Sequence, residues 1–134
     1  MGAKVTALYA ALLTPLFLVL SLRVIGRRRS GGVTIGVAGD LVLERAARVH
    51  ANFAEYAPFA LLLMLLVELN GYRTWIVHAL GVLLLVGRYV HAWGVSQPQE
   101  DYRLRVAGMA LTFTVLTVSA LLLLAAALTG AVFG

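Results

Sequence analysis

Four long apolar runs, separated by short polar breaks, alternate along the chain, and each run approaches the ~20 residues that a membrane-spanning helix needs. The first, Val5 to Leu22, contains Pro15, which is expected to kink the helix without ending it, because neighbouring groups in a membrane bundle can satisfy the freed carbonyl. The break that follows, "RVIGRRRSGGVTIGVAGD", carries three consecutive arginines with Gly31, Gly32, Gly36 and Gly39 and reads as a loop, with Asp40 placed to cap the next helix. The second run extends from about Leu41 to Leu69, where "NGYR" supplies a turn. The third, Thr74 to Val95, ends in "SQPQEDY", and the fourth runs from Val106 almost to the end. The pattern predicts an all-α integral membrane protein, a single membrane domain over residues 1–134 built as a four-transmembrane-helix bundle, with helices at about 5–25, 41–69, 74–95 and 103–131.

Composition strengthens this reading, since 61% hydrophobic and 13% charged residues and a mean hydropathy of +0.91 lie outside the range of soluble globular domains. The net charge of +5 comes from arginines concentrated at Arg23 to Arg29 and Arg45 to Arg48, which suits membrane orientation and excludes nucleic acid as the expected partner. The loops after the first and third helices hold most of the arginine, so they are expected to face the cytoplasm, with both termini on the non-cytoplasmic side. The N-terminal run ends in "RVIGRRRS" instead of a small-residue cleavage site and is expected to be retained. The absence of cysteine excludes disulfides, thiolate metal sites and a cysteine nucleophile, so any thiol must arrive with a ligand. His50 and His78 have no metal-ligand spacing between them, and no metal is expected.

The stretch "ERAARVHANFAEYAPF", Glu44 to Phe59, is polar where lipid would reject it. At about 100° per residue, with Arg45 at zero, Arg48 lies at about 300°, Asn52 at 340°, Glu55 at 280°, Tyr56 at 20° and Glu44 at 260°, one arc of roughly 120°. His50 falls on the opposite side, at about 140°. On the third helix Arg88 and His91 are i, i+3 neighbours, Arg105 opens the fourth, and Arg23 and Arg27 close the first. All four helices thus bring mostly cationic groups to one membrane face. Such a cluster suits a small, peptide-like anion with its own ammonium group, since arginine forks bind carboxylates bidentately and Glu55 can take the cation. A nearby arginine can also lower the pKa of a ligand thiol.

The chain resembles the membrane-associated proteins in eicosanoid and glutathione metabolism (MAPEG), on the second-helix signature with Arg48, Asn52, Glu55 and Pro58, on "GRYVHAWG", and on "RVAGM", where Arg105 opens the last helix. The short loops look most like the compact bacterial members. The resemblance implies a homotrimer with glutathione, as co-substrate, bound between protomers near the cytoplasmic face. It implies glutathione contacts from Arg48, Asn52, Glu55, Tyr56, His91 and Arg105, with Arg23 holding a carboxylate and Arg105 stabilising the thiolate as the catalytic residue. The implied activity is a glutathione transferase or glutathione-dependent peroxidase acting on a hydrophobic or lipid electrophile from the bilayer, in a bacterial inner membrane. Where several characterised members have Tyr this chain has Val95, and Val106 replaces a Ser near the thiol, which leaves Arg105 as the obvious activator. A non-catalytic lipid-binding or scaffold protein of the same fold is the alternative, and a small transporter is disfavoured because no inverted repeat is present.

Overall fold

The computed structural model describes residues 2–130 and places four helices in the order α1 (Lys4–Gly31), α2 (Leu41–Leu69), α3 (Thr74–Ser96) and α4 (Tyr102–Thr129). Each is long and apolar enough to cross a membrane, and among the described residues there is no strand. The expected end of the fourth helix, at 131, lies outside the described residues.

Local chemistry sets the helix ends. Asp40 caps α2 through Oδ1, which accepts from the amides of Val42 at 3.0 Å and Leu43 at 3.1 Å, and Asp101 caps α4 in the same way. The first helix departs from expectation, because "RVIGRRRS" is not loop but helix through Gly31. Arginine is a good helix former, Arg28 and Arg29 in the last turn complement the carbonyl end of the helix dipole, and Gly32, at φ 66°, closes the helix in the left-handed conformation that glycine adopts without strain. Arg28 then reaches across the shortened loop to the carbonyls of Thr34 and Gly36. At ~1.5 Å per residue α1, α2 and α4 are ~42 Å long, more than the ~30 Å of hydrocarbon, so their polar ends project into the interface.

The helices α2 and α3 form the centre. Among the described residues α1 packs on α2 and α3, and α4 packs on the same pair without meeting α1. The core runs through Leu13, Phe53, Ala57, Met64, Leu84 and Val115, while Leu18, Leu22, Phe59, Phe113, Leu121 and Leu128 stand outward, as a lipid-solvated surface requires. The face of α4 that meets α3 is small and polar, with Gly108, Thr112, Val115 and Ser119 all buried. At the end carrying the α2–α3 turn the polar groups satisfy one another: Glu68 accepts from the amides of Val5 and Thr6, both at 2.8 Å, Tyr9 bonds His78 at 3.1 Å, and the Tyr72 hydroxyl donates to the Leu122 carbonyl at 2.6 Å.

At the opposite end Arg27 Nε donates to Asp40 Oδ2 at 2.7 Å. This bond, together with the Leu43 amide, holds the Asp40 carboxyl below its ordinary value of 3.8. A lowered folded-state pKa stabilises above the unfolded value and is lost as pH falls through the folded one. Below about pH 4 the first turn of α2 is therefore expected to loosen, seen as faster hydrogen exchange of the Val42 and Leu43 amides relative to Glu68. Asp40→Asn, which keeps the cap and cannot ionise, is expected to abolish that pH dependence.

Candidate functional site

A groove of about 310 Å³ lies on the outer side of α2 where α3 and α4 converge at the arginine-rich end. Its α2 wall is the predicted seam, Glu44, Arg45, Arg48, Asn52 and Glu55, and His91 from α3 with Arg105 from α4 face it. Five of the expected ligand contacts, Arg48, Asn52, Glu55, His91 and Arg105, are thus brought together from three helices. Two are not. Tyr56, at the margin of the arc, packs edge-on against Phe113, with ring centroids 5.6 Å apart. Arg23 stands in a separate cavity between α1 and α2, where its Nη1 donates to Ser96 Oγ at 3.1 Å.

Charge in the groove is unevenly satisfied. Glu44, Arg48 and Glu55 make no hydrogen bond or ion pair among the described residues, and all three are exposed. Arg105 pairs with Glu100 at 2.7 Å, so the expected thiolate activator already has a carboxylate beside it. Arg45 donates through Nη1 to the carbonyls of Val95 and Gln97 at the C-terminal end of α3.

Beneath the groove lies Arg88, fully buried and without a carboxylate partner among the described residues. Its Nη2 donates to Asn52 Oδ1 at 2.5 Å and reaches His91 Nδ1 at 3.5 Å, while Nη1 meets Thr112 Oγ1 at 3.4 Å. Its guanidinium carbon also sits 5.7 Å from the centroid of the Phe53 ring. Because arginine only donates, His91 must accept at Nδ1, which leaves Nε2–H as the donor of that ring. Asn52, with its oxygen committed to Arg88, likewise offers only its NH₂ group elsewhere. The floor is therefore donor-rich, and the rim carries unpaired charges of both signs. Sequence reasoning set Arg88 down only as a neighbour of His91 and passed over Glu100; an arginine three residues before a candidate histidine, and a glutamate five before Arg105, were the available signals.

The sequence is similar to those of known proteins over most of their length. The chain is 40% identical over 112 residues to "Inner membrane protein YecN" of Escherichia coli strain K12, covering 84% of each protein. It is 37% identical over 118 residues to "Uncharacterized protein sll1147" of Synechocystis sp., covering 87% of this chain and 85% of that one. The MAPEG family profile matches residues 6–125, a span that takes in every wall of the groove, and this four-helix integral membrane protein belongs to the MAPEG family.

Proposed function

We propose that the groove binds glutathione and that the protein uses it as co-substrate, in a transferase or peroxidase reaction on a hydrophobic molecule from the bilayer. The observation that carries this reading is the convergence of Arg48, Asn52, Glu55, His91 and Arg105 on one groove in which Arg48 and Glu55 are unpaired charges of opposite sign. A peptide with two carboxylates and one ammonium group supplies the complement: Arg48 takes a carboxylate, Glu55 or Glu44 the ammonium, and the donors on Asn52 and His91 the peptide carbonyls. Arg105, on the rim, holds the sulfur as thiolate by sharing its guanidinium between Glu100 and the ligand. Glutathione contributes the nucleophilic sulfur, and the lipid-facing side of α4 gives an apolar electrophile its approach.

Membership of a MAPEG family that is generally glutathione-related supports this reading, and the name of the Escherichia coli relative supports a bacterial inner membrane. The arginine bias supports a cytoplasmic groove, with both termini on the other side. A homotrimer, as the family resemblance implies, is part of the same reading, and the exposed carboxylate of Glu55, partway along a membrane-length helix, supports cover of this face by a neighbouring protomer.

Calorimetry on the detergent-solubilised protein is expected to give saturable glutathione binding, and its absence overturns the proposal. Arg105→Ala is expected to keep binding within about tenfold but to abolish the thiolate absorbance of bound glutathione. The Arg105–Glu100 pair favours one second reading, a non-catalytic lipid-binding or scaffold protein in which Arg105 only anchors the end of α4. In that case the wild-type protein shows no thiolate absorbance to lose.

A further inference from the structure

Arg88 has more donors than its surroundings have acceptors. An arginine presents five N–H groups, and here the Asn52 oxygen, at 2.5 Å, serves one of them well. Nε meets no acceptor among the described residues, His91 Nδ1 lies 3.5 Å from Nη2, and Nη1 is left with Thr112 Oγ1 at 3.4 Å and Met109 Sδ at 3.7 Å. A thioether is a weak acceptor, so the sulfur fills the space beside the charge without satisfying it.

Met109 stands one turn deeper in α4 than Arg105, on the same face of the helix, and is only half-buried. Met64, in the core, is 0% exposed. Among the described residues Met109 is thus the sulfur open to a peroxide, and it already touches the guanidinium that lacks acceptors.

We propose that Met109 is a site of oxidation by hydroperoxides, and that its sulfoxide becomes a second strong acceptor for Arg88. The sulfur attacks the oxygen of the hydroperoxide that carries the proton. The O–O bond breaks, that oxygen stays on sulfur, and its proton passes to the departing alkoxide, which leaves as an alcohol. Sulfur is oxidised by two electrons and the peroxide is reduced by two, with no further reactant. The unbranched side chain can then turn the new oxygen onto Nη1, bridging the 3.7 Å gap with a charge-assisted hydrogen bond. Methionine oxidation inside a packed bundle ordinarily destabilises, because it creates a polar group with no partner. Here the sign reverses, since the group without partners is already present and the new oxygen supplies one. The change is undone by methionine sulfoxide reductases, which return the thioether.

Treatment of the full-length protein in detergent with tert-butyl hydroperoxide, without glutathione, tests this whatever the groove binds. Peptide mass spectrometry is expected to show sulfoxide forming at Met109 about fivefold faster than at Met64, and the melting midpoint is expected to rise as Met109 is oxidised. Equal rates at the two methionines, or a midpoint that falls, overturn the proposal. Met109→Leu keeps the volume and removes the sulfur, so the rise is expected to vanish; a rise that persists places the effect elsewhere and overturns the assignment. Met109→Gln, whose amide oxygen stands in for the sulfoxide, is expected to melt above Met109→Leu without any oxidant. An equal or lower midpoint overturns Arg88 as the partner.

Discussion

Gly108→Ala is expected to lower the stability of the detergent-solubilised protein by about 3 kcal/mol, read as a lower midpoint of helix loss on heating. A Cβ at this position lands 2.5 Å from the Cβ of His91, 2.6 Å from the carbonyl oxygen of Gly87 and 2.6 Å from the His91 amide. Two of these are backbone atoms, and no rotamer change relieves them, so α4 must move away from α3. The displacement is transmitted, since a Cβ on the facing Gly87 already meets Leu111 at 2.9 Å and one on Gly94 meets Leu104 at 2.7 Å. Separating α3 from α4 also parts His91 from Arg105, so glutathione affinity is expected to fall with stability. Gly26→Ala is the control. Nothing lies within 4 Å of its Cβ, its helix is exposed there, and the gain in helix propensity is expected to stabilise by up to about 1 kcal/mol. Equal midpoints for Gly108→Ala and the parent protein are incompatible with this packing.

Some of this arrangement is written in the order of residues. The α2 seam was legible because side chains on one helix are related by a fixed rotation, so Arg48, Asn52 and Glu55 had to share a face whatever packed against it. Their meeting with His91 and Arg105 followed from the family resemblance, because rotation on one helix does not say which helix stands opposite. The same limitation explains Tyr56 and Arg23. Tyr56 sits at the margin of the arc, and which side of that margin the groove takes depends on where α4 lies. Arg23 shares a membrane face with the others but is carried by α1, which packs on the side of the α2–α3 pair away from α4. The length of α1 was hidden for a different reason: arginine and glycine together resemble a loop, and the helix continues because the arginines favour it and the left-handed conformation is first adopted at Gly32. Arg88 was illegible as a hub because a membrane-helix arginine near a helix end ordinarily extends toward water, and its burial depends on small partners, Gly87 beside it and Gly108 opposite, letting α4 close over it.

That burial makes Asn52 the residue whose loss is expected to be felt most widely. Hydrogen bonds between neutral side chains in membrane bundles contribute only ~0.6 kcal/mol on average, because partners are also found in the unfolded state. Arg88 is a different case. It is charged, 0% exposed and unpaired with any carboxylate among the described residues; its Nε has no acceptor, and its other contacts, to Thr112, His91 and Met109, are 3.4 Å or longer. The Asn52 oxygen is its only short acceptor among the described residues. Asn52→Leu, which keeps the branching at Cγ but offers no acceptor, leaves the guanidinium without it and is expected to cost about 3 kcal/mol of stability and to abolish glutathione binding. Asn52→Asp separates the two effects. A carboxylate at the same place pairs with Arg88, so the melting midpoint is expected to hold or rise. The same charge repels the carboxylates of glutathione and replaces the NH₂ donor that faces the groove, so binding is expected to weaken by at least tenfold. If Asn52→Leu melts with the parent protein, Arg88 does not depend on Asn52. If Asn52→Asp binds glutathione as tightly as the parent, the floor of the groove is not where the peptide lies.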